Sequence, residues 1–172
     1  MDYVIRRRER KDCEAIAKLI TVCWNETYRG LVSDEFLDGL YKNEEDRIKN
    51  SFEKFDENDN HQFVLEVDGK VAGWMNIGDS DEGSEYGEIH AIYILNEYKG
   101  FGYGRKLVEE GVKEIKSMGF KQMIIGCLDV NKSNEFYKHI GGKFIKQRMF
   151  EKLGMMENVY LFEEIWLWKN LR

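Results

Sequence analysis

Three glycines in five residues, Gly100, Gly102 and Gly104, stand in a chain of 172 residues that contains no proline. Every chain reversal therefore falls to Gly, Asn, Asp or Ser, and such a cluster costs backbone entropy that a plain connector need not spend. The cluster lies within Lys99-Gly100-Phe101-Gly102-Tyr103-Gly104-Arg105-Lys106. Ahead of it, Glu88 to Ile94 reads as a strand, with the strong β-formers Ile89, Ile92, Tyr93 and Ile94. Behind it, Leu107, Val108, Gly111, Val112, Ile115 and Met118 trace one face of a helix that stops at Gly119. A strand, a glycine loop and a helix in that order let several backbone N–H groups converge on one point and add the positive end of the helix to them. Such a site suits phosphate, and Lys99, Arg105 and Lys106 supply cations around it.

The rest of the chain alternates helical and strand periods without a repeat or a linker, which predicts one mixed domain over residues 1–172. Tyr3 to Ile5 opens as a strand. From Asp12, a plausible cap, Ile16, Ile20 and Trp24 recur every four residues beside Cys13, Ala17 and Leu19, which describes an amphipathic helix. Helical stretches follow from Ser33 to Leu40 and from Asn43 to Phe52. Gln62 to Val67 and Lys70 to Ile77 flank Asp68-Gly69, a strong hairpin signal. Lys121 to Leu128 reads as a strand, Ser133 to Ile140 as a short helix closed by Gly141-Gly142, and Lys143 to Phe150 and Val159 to Trp168 as final strands.

Composition removes several functional classes. With 26 Lys and Arg against 32 Asp and Glu, a net charge of −6 argues against general binding to nucleic acid. No apolar run approaches a membrane span and Met1 to Lys11 has no signal-peptide pattern, so a cytoplasmic protein without membrane partners is expected. Cys13, Cys23 and Cys127 are odd in number and set in apolar patterns, and His61, His90 and His139 are scattered, so reduced core thiols and no metal site are expected.

Three readings compete at the glycine cluster. A dinucleotide fingerprint fails because position 107 is Leu where its third Gly is needed, and an ATP-type P-loop fails because Arg105-Lys106-Leu107 replaces Lys-Ser or Lys-Thr. The third is a flexible strand-to-helix connector, which need not spend the entropy of three glycines in five residues. The stretch Glu88 to Gly142 resembles the acetyl-CoA-binding core of the GCN5-related N-acetyltransferase (GNAT) family. Its signature [RQ]-x-x-G-x-[GA] is met as Lys99-x-x-Gly102-x-Gly104, with Lys in place of Arg or Gln. Lys keeps the cation and loses the guanidinium fork. The context adds Asn131-x-x-Asn134-x-Phe136-Tyr137 and then Gly141-Gly142.

The resemblance implies an α/β (mixed α+β) fold with a central, mostly antiparallel mixed sheet of about six to seven strands and helices on both faces. It implies acetyl-CoA as acyl donor, no metal, and direct transfer to a primary amine in a ternary complex. Lys99, Gly100, Phe101, Gly102, Tyr103, Gly104 and Arg105 would hold the pyrophosphate, the backbone at Ile92, Tyr93 and Ile94 the pantetheine arm, and Asn131 and Asn134 either the arm and pyrophosphate or the cap of the next helix. Glu88 sits where many members carry the general base, and Tyr137 matches the tyrosine that protonates the departing thiolate. Strand alternation places Glu88 and His90 on one face, so His90 is the alternative base. The competing reading of Glu88 is a solvated edge-strand carboxylate, that of His90 a half-buried imidazole, and that of Tyr137 a core aromatic.

Trp24 and Tyr28 lie where the family's acceptor cleft is usually walled, Trp24 also continuing the core stripe and Tyr28 falling just beyond it. Residues 30–95 carry 5 positive and 17 negative side chains, and residues 96–152 carry 12 and 7. That distribution favours an anionic cosubstrate on one part and a cationic small amine or peptide amine on the other, with the Asp79 to Glu85 loop as an attractor or merely a solvated turn. The resemblance also leaves the last two strands available for a homodimer. The alternative from another class is a non-catalytic CoA or acyl-CoA-binding regulatory module.

Overall fold

The expected helices and strands form, with their ends shifted by a few residues, in a computed structural model that describes residues 2–57, 60–150 and 161–171. In chain order they are β1 (Tyr3–Arg7), α1 (Cys13–Tyr28), α2 (Asp34–Lys42), α3 (Glu44–Glu53), β2 (Gln62–Val67), β3 (Lys70–Asp79), β4 (Tyr86–Ile94), α4 (Tyr103–Ser117), β5 (Gln122–Leu128), α5 (Ser133–His139), β6 (Lys143–Met149) and β7 (Phe162–Lys169). Val159 and Tyr160, expected at the start of the last strand, lie outside the described residues. The sheet has seven strands in the order β1-β2-β3-β4-β5-β7-β6. Its β1/β2, β2/β3, β5/β7 and β6/β7 pairs are antiparallel, and β4/β5 is parallel. The fold class is therefore the mixed, mostly antiparallel α/β one that the sequence implies.

The chain divides into two compact units, residues 1–76 with 91–110 and residues 77–90 with 111–172. In the first unit the β2–β3 hairpin turns on Asp68 at φ 47° and Gly69 at φ 79°, the left-handed pair that a two-residue turn needs. The α1 stripe behaves as its period predicts, since Ile16, Leu19 and Cys23 pack with Val64 of β2 and Trp74 of β3 in one core cluster. Ser33 caps α2 by accepting the Phe36 N–H at 3.1 Å. Gly73 is obligatory, because a Cβ there would lie 2.9 Å from the Tyr93 carbonyl oxygen.

The second unit is built on β5, whose Met123, Ile124, Ile125, Cys127 and Leu128 are buried, and on Ile165, Trp166 and Leu167 of β7. Ile115 of α4 sits so close to β4 that a Cβ at Gly87 would come within 2.6 Å of it. The outer strand β6 leaves Phe144, Ile145 and Met149 exposed.

Asp12 corrects its predicted role. It makes no side-chain cap to α1. Its carboxylate accepts two hydrogen bonds from Arg6, at 2.8 and 2.9 Å, and one from the Glu9 N–H at 2.7 Å. Glu66 of β2 joins the same guanidinium at 2.9 Å. Burial pushes the Asp12 carboxyl up, and Arg6 with the Glu9 amide outweighs it, so the group ends below the usual carboxylate range. The stabilisation is thus complete above the unfolded value, near pH 4, and is lost as pH falls through the lowered native one. Asp12→Ala, which leaves Arg6 half-buried with one carboxylate fewer, should cost about 2 kcal/mol in urea unfolding at pH 7. The deficit should shrink as the same titration is repeated below about pH 4; an equal deficit at pH 7 and pH 3 would remove the ion pair from the explanation.

Candidate functional site

The glycine loop belongs to the first unit. After β4 the chain makes a 3-10 turn over Asn96–Tyr98, anchored where the Asn96 N–H donates to Glu26 of α1 at 3.2 Å. Gly100 and Gly102 then take φ of 85° and 81°, and α4 begins at Tyr103. A side chain at either glycine would be strained in φ although it would meet nothing within 4 Å, so the loop is open above its backbone. The first N–H groups of α4 have no helical acceptor, and exposed Lys99 and Arg105 flank them. Phe101 is 55% exposed on the loop. The Tyr103 side chain is buried, with its ring 5.3 Å from that of Tyr3, which leaves the backbone at this position to the loop. Lys106 is drawn to the same aromatic pair, its Nζ 5.1 Å above the Tyr3 ring.

An aromatic wall lies in the same unit. Trp24 Nε1 donates to the Tyr93 hydroxyl at 3.0 Å, and the Tyr93 ring stacks on Trp74 at 6.1 Å and 5°. Trp24 also packs on Tyr28 at 4.6 Å and on Phe36 at 5.8 Å. The expected order of the two cleft residues is reversed, since Tyr28 is the buried one at 5% exposure and Trp24 is half-buried. The reason is helical geometry: Tyr28 closes the last turn of α1 and shares the stripe of Thr21 and Trp24. Arg47 of α3, which the sequence reading passed over, reaches this face by donating from Nη1 to Thr21 Oγ1 and, at 3.4 Å, to the Leu40 carbonyl.

Glu88 belongs to the second unit and is not a solvated edge carboxylate. It is 3% exposed on β4, a strand flanked on both sides in the sheet. Arg148 Nη2 donates to its Oε1 at 3.1 Å and the Ser80 hydroxyl to its Oε2 at 2.7 Å. The same guanidinium binds Glu163 Oε2 through Nη2 at 2.8 Å and Nε at 3.0 Å, and Glu82 Oε1 through Nη1 at 3.2 Å. It crosses β5 over Gly126, where a Cβ would stand 2.7 Å from Nη2. His90, with its side chain 35% exposed, has Nδ1 at 3.9 Å from Glu88 Oε1, so the two candidate bases do share a strand face. Glu82 is held below the usual carboxylate range by Lys146, against the upward push of burial, and then by Arg148. That removes Glu82 from the acidic loop's power to attract a cation. Arg148 had one faint sequence signal, opposite charge to Glu163 across two expected strands, and the structure pairs them in register.

Downstream, Asn134 is committed to the fold. Its Nδ2 donates to the Leu128 and Asn131 carbonyls at 2.9 and 3.0 Å, and its Oδ1 accepts from Trp166 Nε1 at 2.8 Å. Asn131 Oδ1 accepts the Ser133 N–H at 2.8 Å just ahead of α5. Together they fix the start of α5, which carries Tyr137. That residue is 6% exposed, edge-on to Phe136 at 5.4 Å and to Trp168 at 6.4 Å. Gly142 packs beneath it, since a Cβ there would lie 2.7 Å from Trp168 and 2.9 Å from the Tyr137 carbonyl.

Cys13, Cys23 and Cys127 are free and buried. Burial first, then the charges of Glu163 and Glu164, pushes the Cys127 thiol up to about 12, which leaves no thiolate at neutral pH. Among the described residues no group of three His, Cys, Asp or Glu could hold a metal ion, and no helix is long and apolar enough to cross a membrane.

Residues 13–141 match the model of the acetyltransferase (GNAT) family. Over 155 residues the chain is 29% identical to the uncharacterized N-acetyltransferase YuaI of Bacillus subtilis (strain 168), covering 88% of this chain and 86% of that protein. The PaiA N-acetyltransferase of Thermoplasma acidophilum, solved in complex with coenzyme A, has a TM-score of 0.74 at 20% identity, over 98% of this chain and 99% of that one. The yncA structure from Salmonella typhimurium, with its cofactor acetyl-CoA, has a TM-score of 0.66 at 19% identity, over 98% and 94% of the two chains.

Arg148→Met tests the charge cluster. It leaves three carboxylates facing the space of a lost cation, two of them largely buried, and should cost about 2 kcal/mol in chemical unfolding at pH 7. Protonation relieves such crowding, so the variant's deficit should be smaller at pH 5. A deficit that grew on acidification would mean the carboxylates do not depend on Arg148.

Proposed function

Because the chain belongs to the acetyltransferase (GNAT) family, we propose that it transfers the acetyl group of acetyl-CoA directly to a primary amine. The observation that carries the reading is the glycine loop: Gly100 and Gly102 hold left-handed backbone ahead of α4, with exposed Lys99 and Arg105 beside the unpaired N–H groups of the first helical turn. That is a cradle for a diphosphate. Acetyl-CoA supplies an activated thioester, and the residues of this chain do the rest. The backbone of Gly102, Gly104 and Arg105 binds the pyrophosphate, and the backbone at Ile92 and Ile94 pairs with the pantetheine arm. A backbone N–H of that strand polarises the thioester carbonyl.

For the amine to attack, it must lose a proton, and Glu88 with His90 provides two acceptors on one strand face. Arg148 holds the Glu88 carboxylate in place through the 3.1 Å contact to its Oε1. The exposed imidazole of His90 is the natural first acceptor for a proton arriving through water, with the Glu88 charge beside it to stabilise the cation formed. The new N–C bond forms as the C–S bond breaks, and Tyr137 protonates the departing thiolate. Direct transfer is favoured over an acyl-enzyme because Cys127, buried and protonated, is no nucleophile.

Incubation with acetyl-CoA and a panel of amines, following free thiol, tests the activity. Thiol release that requires an amine is expected. Tight CoA binding with no release across the panel would favour the non-catalytic binding module. Tyr137→Phe should lower kcat by 10- to 100-fold, and Cys127→Ala should leave it within about twofold. His90→Gln should flatten the acidic limb of the kcat/KM profile, while Glu88→Gln, which keeps the imidazole, should lower kcat/KM and keep the limb. If both variants kept the parent profile, the proton acceptor would lie elsewhere.

A further inference from the structure

Arg47 is a half-buried arginine of the first unit whose hydrogen-bond partners among the described residues are all neutral. Its Nη1 is held by Thr21 Oγ1 and the Leu40 carbonyl, and no ion pair joins it to a carboxylate among the described residues. The comparable arginines are compensated, Arg6 by Asp12 and Glu66, and Arg148 by Glu82, Glu88 and Glu163. Arg8 also has neutral partners, but it is buried, bonded at both terminal nitrogens to Gln62, Ser51 and Cys13, and its Nε is the sealed, unpartnered polar atom of the described residues. Arg47 differs on that last point. Among the described residues its Nε and Nη2 make no hydrogen bond, and neither is a sealed atom.

A guanidinium drawn half out of water without a counter-ion is an unfavourable arrangement unless something else completes it. Burial pushes its proton affinity down, and the charges of Glu44 and the hydroxyl of Tyr93 restore only part of it. The free Nε–Nη2 edge is the one that grips a carboxylate with two parallel hydrogen bonds. It stands on the α1 face that continues through Trp24 and Tyr28, and Tyr93, which accepts the Trp24 N–H, is near enough to act on its charge.

Resting on the acyl-transfer reading above, we propose that Arg47 binds a carboxylate of the acceptor, so that the amine acetylated belongs to an amino acid rather than to a polyamine. The withdrawal of Glu82 into ion pairs with Lys146 and Arg148 agrees with this, because the loop expected to lure a cation is partly neutralised. Specificity then follows from an asymmetry: an acceptor lacking the carboxylate leaves a half-desolvated cation unpaired, which a site discriminates far better than the loss of a methylene.

The test compares the twenty L-amino acids with their carboxamides and with spermidine, using the full chain, acetyl-CoA and thiol release. At least one acid should exceed its own carboxamide in kcat/KM by about 100-fold, chiefly through KM. Arg47→Met should collapse that preference by about the same factor, and Arg47→Lys should restore part of it. Thermal shift with the same acids in the presence of CoA gives a readout independent of turnover. If spermidine or the carboxamides are acetylated as well as the acids, transfer stands and the role of Arg47 falls. If no amine releases thiol but the acids stabilise the parent and not Arg47→Met, carboxylate binding stands and transfer falls. An Arg47→Met variant that unfolds at the parent's temperature and keeps the acid-over-amide ratio would overturn the proposal.

Discussion

An ionised group taken out of water must bring its counter-charge with it, and much of this molecule is arranged to satisfy that condition. Glu88 is among the most buried charged residues described, and its cation comes from Arg148, sixty positions along the chain. The pairing holds the outer strand β6 in place through its side chains as well as its ladder, because the same guanidinium is shared with Glu163 directly opposite on β7. It also requires a residue with no side chain on the strand it crosses, and Gly126 meets that need. A charge, a register and a glycine are therefore one constraint. At the other unit, Arg6, Asp12 and Glu66 do the same for β1, the entry to α1 and β2.

The parts legible in the sequence were those written in local backbone chemistry. The hairpin at Asp68-Gly69, the α1 stripe and the glycine loop each depend on residues within one or two turns of one another, and all three appear where the periodicities place them. Long-range pairings were not legible. Nothing near Glu88 announces Arg148, so the carboxylate read equally well as a solvated edge residue. Asp12 looked like a cap because it precedes an apolar period, and Arg6, which takes it away, is itself a residue of a different element. Tyr28 is a different case: it was read as falling just beyond the stripe, whereas α1 runs on to include it four residues after Trp24.

Hydrogen-bond accounting separates residues that hold a site together from residues free to act in it. Asn134 spends both donors and one acceptor on the Leu128 to Trp166 region, so its contribution is to set the start of α5 and hence the place of Tyr137. Tyr103 spends its ring on Tyr3, leaving its backbone to the loop. Lys99 and Arg105, by contrast, remain exposed. Loop residues that no internal contact requires are the ones whose chemistry is left for a ligand.

The same accounting gives the exception its meaning. Where Arg6 and Arg148 are matched by carboxylates, Arg47 is anchored on one nitrogen by a buried hydroxyl and a carbonyl, neutral groups that orient a guanidinium without discharging it. Orientation without neutralisation is what a binding residue needs: a fixed charge that keeps its donors available and gains most when an anion arrives. With Arg6 and Arg148 matched internally and Arg47 oriented beside an aromatic-lined helix face, an anion arriving there meets a cation that no internal carboxylate has discharged.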